Sequence, residues 1–228
     1  MPESIIEQTA DSYPVSERNR VRRAHHRGSH KHQDVYDILD SSYMCHVGYV
    51  IDGQPYVTPT LHWRVGNKVY WHGSSASRML KTATKGMPVS LTVTHFDGLV
   101  LARCPFDHSA NYRCAMVFGN ARAITDLDEK SAALDHMMEY MFPGRLAETR
   151  PNTEQELKAT MVAVMEIEEA SAKVRSGPPN DDEEDIKNID CWSGVIPRRE
   201  VWDAPVADEL CRSPEPISDY FNKYRNEV

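Results

Sequence analysis

Residues 43–81, YMCHVGYVIDGQPYVTPTLHWRVGNKVYWHGSSASRMLK, decide the fold. Tyr43–Ile51 is a near-continuous β-rich run closed by the turn signal Asp52-Gly53. Tyr56–Val65 alternates apolar and polar residues, and after Gly66-Asn67 the pattern restarts as Lys68–His72. These read as consecutive antiparallel strands joined by short hairpins. Pro59 removes a ladder donor from the second run, so that strand is expected to be bulged or unpaired there. The last part, GSSASRMLKTATKG, reads as a helix opened by serine caps and closed by Gly86.

The same character continues outward. Val35, Ile38 and Leu39 follow the spacing of one apolar helical stripe. Val89–His95 and Leu99–Cys104 read as two strands joined by an Asp97-Gly98 turn, and Tyr112–Ile124 as a long further strand. Asp126 is placed to cap a helix reaching about Met141, with Leu134, Met137, Met138 and Met141 on one face. A second helix is expected over roughly Thr153–Thr160, and strand character resumes over Met161–Val174. Beyond Gly177 the chain is polar, with a solvated acidic run at Asp181–Asp185; Trp192, Val195, Ile196 and Trp202 suggest a packed terminal segment, and residues from Pro214 a peripheral helix. The expected organisation is a flexible segment 1–17, one domain 18–205 and a C-terminal tail 206–228. The fold class is mainly β, a barrel or sandwich of six or seven antiparallel strands with outer helices.

The composition is that of a globular protein: 228 residues, 40% apolar and 26% charged, with a net charge of −8. That charge and a pI near 5.7 argue against nucleic acid as a partner. The charge is uneven, since Arg18–His32 holds six Arg or Lys, four His and no acid. A metal reading of that run is opposed by its own cations, which repel a divalent ion; a solvated or anion-facing stretch fits better. Five cysteines form no CxxC pair and suggest neither a zinc site nor a disulfide framework. The polar start MPESIIEQTADSYP lacks a secretory core, and no apolar run is long enough for a membrane span. A reduced, soluble, cytoplasmic protein is expected.

The strongest chemical signal is the passage from strand to helix at His72-Gly73-Ser74-Ser75-Ala76-Ser77-Arg78-Met79-Leu80-Lys81. Free amides at a helix start, three hydroxyls, Arg78 and Lys81 together suit an anion such as a phosphate. An ordinary serine-capped helix with solvated cations remains the alternative. His72 is either a plain strand histidine or, if a phosphate-bearing cofactor lies at Ser74–Arg78, a group beside its reactive end. Asp107–Arg113 is dense in side-chain donors; Tyr112 could wall a pocket and Arg113 clamp an anion, or the segment is a loop. No GxSxG, P-loop or GxGxxG pattern is present.

The ordered blocks VRRAHHRGSH, residues 43–81, VSLTVTHFDGLVLARCPFDHSANYR and FGNARAITDLDEK resemble the pyridoxamine 5′-phosphate oxidase-related flavoproteins. They are most similar to the flavin-nucleotide-binding, nitroimidazole-resistance (Nim)-like branch. LKATMVAVMEIEEASAKVRSGPPNDDEED and WSGVIP extend the resemblance, which covers roughly residues 20–200. It implies a split β-barrel that forms a homodimer with FMN at the subunit interface, acting as an oxidoreductase on a small molecule. It assigns Ser74, Ser75, Ser77, Arg78 and Lys81 to the phosphate and ribityl end. Val57, Thr58, Pro59, Thr60 and Leu61 fall along the isoalloxazine edge. His72 falls near flavin or substrate, as a candidate for substrate contact or proton delivery. Asn111, Tyr112 and Arg113 become pocket residues from either subunit. The tail lacks the C-terminal Arg and His with which the oxidases proper grip their substrate, so the resemblance does not extend to vitamin B6 oxidation. Split barrels of this kind also include haem-binding members, which makes a flavin or haem carrier the alternative.

Overall fold

A computed structural model describes residues 11–83, 85–212 and 223–224; the expected tail helix from Pro214 lies outside them except for Lys223 and Tyr224. In chain order the elements are β1 (Gly28–Ser29), α1 (His32–Asp40), β2 (Met44–Ile51), β3 (Gln54–Val65), β4 (Lys68–Ser74), α2 (Arg78–Ala83) and β5 (Lys85–Leu101). There follow β6 (Ser109–Ala123), α3 (Leu127–Met141), α4 (Glu154–Ala159), β7 (Thr160–Glu166), β8 (Glu169–Arg175), α5 (Glu183–Asn188) and β9 (Gly194–Pro197). All strand pairings are antiparallel.

Six strands close a ring in the order β6-β7-β4-β3-β2-β5, with β5 returning to β6. Closure removes the exposed edges that a flat sheet would leave. The two longest strands outrun the ring. The edge of β6 pairs β7 over Ala121–Ala123 and β8 over Tyr112–Phe118, while β5 pairs β2 over Ser90–Thr92 and β9 over Gly98–Leu101. The result is a split barrel of mainly β structure with helices outside it. Inward residues of alternate strand positions, among them Val47, Trp71, Leu91, Val117 and Met165, fill the barrel and are wholly buried. A second cluster, Trp63, Leu134, Leu157, Val162 and Val164, lies outside the barrel wall beneath α3 and α4.

The helix starts follow the sequence. The Asp126 side chain accepts from the Glu129 amide at 2.8 Å, and Thr153 with Glu156 forms a capping box. Buried Lys130 donates to the carbonyls of Leu157 and Thr160, at 3.0 and 2.9 Å, and so ties α3 to the end of α4.

Several expectations are corrected. Asp97-Gly98 is not a hairpin turn but a register shift within the single long strand β5. A Cβ at Gly98 would come 2.5 Å from the Ile196 carbonyl, so glycine serves the close approach of β9 there. The helix at Arg78 is one turn and a half long, and Gly86 already belongs to β5. Pro59 causes no bulge: β2 and β3 stay in register from Met44↔Leu61 to Ile51↔Gln54. The proline is tolerated because β3 meets β4 only over His62–Val65, which leaves its earlier part with one strand partner. Met161–Val174 divides into β7 and β8; of the nine strands among the described residues, six form the ring, as expected of the barrel. The acidic run is not wholly solvated, since Asp181 takes the Arg103 amide and guanidinium, both at 2.6 Å. Trp192 and Trp202 are exposed rather than packed, although Val195 and Ile196 do join the sheet through β9.

Candidate functional site

The end of β4 and the turn after it are held from beneath. Gly73 passes close to Leu80, where a Cβ would sit 3.1 Å from Cδ1, and Met79 and Leu80 are buried in the barrel core. The Ser75 amide donates to the Ala159 carbonyl at 2.9 Å, the Ala76 amide to Ser74 Oγ at 3.2 Å, and the Ser77 amide to the Ser74 carbonyl at 2.9 Å. Ser77 Oγ accepts from the Leu80 amide at 3.4 Å. Two of the three serines therefore shape the turn, and α2 is too short to carry a large dipole. What remains for an anion is the O–H of each serine, since Ser74 and Ser77 use their oxygens only as acceptors, and the pair of cations.

Arg64, Arg103 and Arg113 are engaged by Asp40, Asp181 and Asp97. Arg78 and Lys81, by contrast, are exposed and have no carboxylate within 4.0 Å among the described residues. The Arg78 guanidinium lies over the Tyr56 ring, 4.6 Å from its centre, and Tyr56 stacks on Tyr49 at 5.6 Å. Tyr49 and Thr58 share a hydrogen bond of 3.1 Å. The structure thus brings the serine turn, Arg78 and Lys81 to the free edge of β3 where Thr58 lies. Tyr56 belongs to this site and was not singled out from sequence; its place two residues before Thr58, on the same side of an alternating strand, is the signal that would find it. Val57, Pro59 and Leu61 point the other way and are exposed, while Thr58 and Thr60 are half-buried.

His72 shares the outward face of β4 with Tyr70 and lies against Trp63, with ring centres 5.9 Å apart. Its Nδ1 is buried with no hydrogen-bond partner among the described residues. Burial lowers its pKa, which keeps the imidazole neutral near pH 7, able to donate one proton or accept one.

Asn111, Tyr112 and Arg113 sit on β6, and the ring interposes β5, β2 and β3 on one side and β7 on the other between β6 and β4, from which the turn leaves. Asn111 is buried, accepts from Arg175 and donates to the Gly177 carbonyl at 3.2 Å, so within one chain it fastens the end of β8. Arg113 donates from Nε and Nη2 to Asp97 at 3.0 and 2.9 Å, and the guanidinium holds the Asp97 carboxyl below the usual range. Arg113 and Leu61 both line a groove of about 1060 Å³ that also takes in Tyr43, Met44, Phe96 and Trp202.

The basic stretch is built into the fold: Arg18 grips Glu169, and Gly28–Ser29 pairs with β8. Cys104, Asp107 and Asp185 come within 4.8 Å of one another. The Cys104 thiol donates to Asp107 at 3.0 Å and its pKa is raised by that bond, which is the reverse of what a metal-binding thiolate needs.

A six-stranded split barrel with one cationic strand-to-helix turn defines a class of fold, and comparison with known proteins places the chain within it. The family model described as "Pyridoxamine 5′-phosphate oxidase" matches residues 31–174, and the chain belongs to that family. The solved structure of the flavocytochrome Anf3 from Azotobacter vinelandii is 40% identical, covering 92% of this chain and 97% of that one, with a TM-score of 0.86. The FAD and heme binding protein from Mycobacterium smegmatis is 33% identical over 87% of this chain and 97% of that one, with a TM-score of 0.82. A protein from Bacteroides thetaiotaomicron, described as a candidate for 5-nitroimidazole antibiotic resistance, shares the fold at 22% identity. It covers 64% of this chain and 86% of its own, with a TM-score of 0.54. No curated protein matches the chain. Among the described residues, no helix is long and apolar enough to cross a membrane.

Proposed function

We propose that this chain is a flavin-binding redox protein that works as a homodimer on a small-molecule substrate. FMN, or the FMN portion of a larger flavin nucleotide, has its phosphate at Ser74, Ser75, Ser77, Arg78 and Lys81, with Val57–Leu61 along the ring. The observation that carries this reading is the pair Arg78 and Lys81, two cations with no carboxylate within 4.0 Å among the described residues, at a turn pinned to the barrel. Elsewhere the fold neutralises Arg64, Arg103 and Arg113 internally. Its likeness to a flavocytochrome and to an FAD- and haem-binding protein, at 40% and 33% identity, supports it.

A bound flavin supplies two-electron chemistry, and the protein supplies binding, orientation and electrostatics. Arg78 and Lys81 hold the phosphate as charge-assisted donors. Tyr56 holds the Arg78 guanidinium over its ring and so limits the conformations lost on binding. His72, neutral and partnerless at Nδ1, contacts substrate or moves a proton at that nitrogen. The exposed apolar residues Val50, Val57 and Met116 give the second copy a face to cover.

Absorption of the purified protein and fluorescence titration test the proposal together. A flavin double band, with Arg78→Ala weakening FMN binding about ten- to a hundredfold by the loss of one charge-assisted contact, is the expected result. Unchanged affinity in Arg78→Ala would place the phosphate elsewhere, and a colourless protein that takes up neither FMN nor FAD would end the flavin reading. The two relatives' titles also favour a second reading, a protein that carries haem beside its flavin, and a Soret band is its signature.

A further inference from the structure

We propose that the groove lined by Leu61, Met44, Phe96 and Trp202 is a second ligand site, and that it takes a planar aromatic carboxylate. Its volume of about 1060 Å³ is at the upper end for small-molecule and cofactor sites, where walls are apolar and aromatic and a few polar groups set orientation. The walls here have that character. Met44, Leu61, Phe96 and Trp202 are 49, 40, 41 and 58% exposed, a large apolar surface to leave in water at one place. Trp202 meets Tyr224 edge-to-face at 5.0 Å and lies 6.4 Å from Tyr43, so the aromatic wall is braced by its own rings.

The charges select the ligand. Three acids line the groove, and each is already matched: Asp40 by Arg64, Asp97 by Arg113 and Glu200 by Arg198. Arg199 and Lys223 also line it and have no carboxylate within 4.0 Å among the described residues, so the groove carries a positive surplus. Lys223 is occupied by the Tyr140 carbonyl and the faces of Tyr43 and Tyr140, which leaves Arg199 as the cation without a partner among the described residues of the lining. Arg113 is fixed by Asp97 through Nε and Nη2, and its Nη1 has no partner among the described residues. His95, also in the lining, is bonded to Ser41 at 2.9 Å, and burial and Arg113 lower its pKa, so it leaves the cationic role to the arginines. A flat ring system packed on Leu61, Met44 and Trp202, with its carboxylate on Arg199 and Arg113, satisfies both features. The site shares Leu61 and Arg113 with the residues expected around the flavin but none of the Ser74–Lys81 turn, so it stands or falls apart from the phosphate assignment.

Two sources offer that chemistry, a tetrapyrrole with propionates and a smaller aromatic acid. The test titrates the full chain, at recorded flavin content, with protoporphyrin IX, naphthalene-2-carboxylate and naphthalene-2-carboxamide, following tryptophan fluorescence. At least one of the two acids is expected to bind, tenfold or more weakly in Arg199→Gln, with the carboxamide weak and indifferent to that substitution. Tighter binding of the porphyrin assigns the site to a tetrapyrrole, and tighter binding of the naphthoate to a small acid. The proposal is overturned if neither acid binds, if acid and amide bind alike, if Arg199→Gln changes nothing, or if the acid displaces flavin stoichiometrically. Arg199 is exposed, so Arg199→Gln is expected to keep its circular dichroism and its flavin content, while Arg78→Ala binds flavin more weakly and still binds the acid.

Discussion

The two faces of β4 carry neighbouring residues to different ends. Val69 and Trp71 point into the barrel, wholly buried among residues from β2, β5, β6 and β7. Tyr70 and His72 point outward, against Trp63 and beneath α3 and α4, and at the strand's end the chain leaves the barrel as the serine turn. A period of two places the stabilising face and the chemical face one residue apart. Disturbing the inner face should therefore cost stability, and disturbing the outer face or the turn should cost binding.

The largest expected effect is Trp71→Ala, which empties the centre of the core and should lower unfolding free energy by about 3–5 kcal/mol in urea denaturation. A loss below about 1 kcal/mol would mean that the inner face is not the stabilising one. Next comes Arg78→Ala, with flavin affinity reduced as above and a urea midpoint within error of the parent, because the side chain is exposed and has no carboxylate partner among the described residues. A large stability loss there would erase the distinction between core and turn.

Acid should act on the buried His62 and the half-buried His72. Burial lowers the pKa of both His62 and His72, so each is neutral in the fold and protonated in the unfolded chain below about 6.5. The unfolded state then binds more protons, and stability falls as pH drops through that value, by at most about 1.4 kcal/mol per pH unit for each histidine. His62 contacts two carbonyls, Tyr43 at 3.2 Å from Nδ1 and Leu39 at 3.1 Å from Nε2. Urea midpoints at pH 7.5 and 5.5 should show a shallower pH dependence in His62→Gln than in the parent, and equal dependence would exclude His62 as its source. The smallest effect is at the surface: Asp126→Ala removes the cap of α3 and should cost about 1 kcal/mol, with flavin binding unchanged.

Much of this was legible locally. Alternation located β2, β3, β4 and β6, the Asp126 cap located α3, and the sequence from Gly73 to Lys81 marked the turn as chemically unusual. Other features depend on distant partners. Asp97-Gly98 has the composition of a hairpin turn, yet β6 keeps pairing past it and β9 approaches its far edge. Asp181 looked solvated because Arg103, its partner, is 78 residues away. Asn111 and Arg113 looked like pocket donors, and within the chain they are committed to Arg175 and Asp97. Tyr56 entered the site only because the turn folds back over β3.

What the sequence determined by itself is what depends on residues a few positions apart: strand alternation, helix caps and the clustering of serines and cations at one junction. Only the tertiary structure decided which arginines are free and which are spent on folding. It alone also closed six strands into a ring and opened the groove beside Leu61. Charge pairing, barrel closure and cavities arise from contacts between segments far apart in the chain, and no local pattern encodes them.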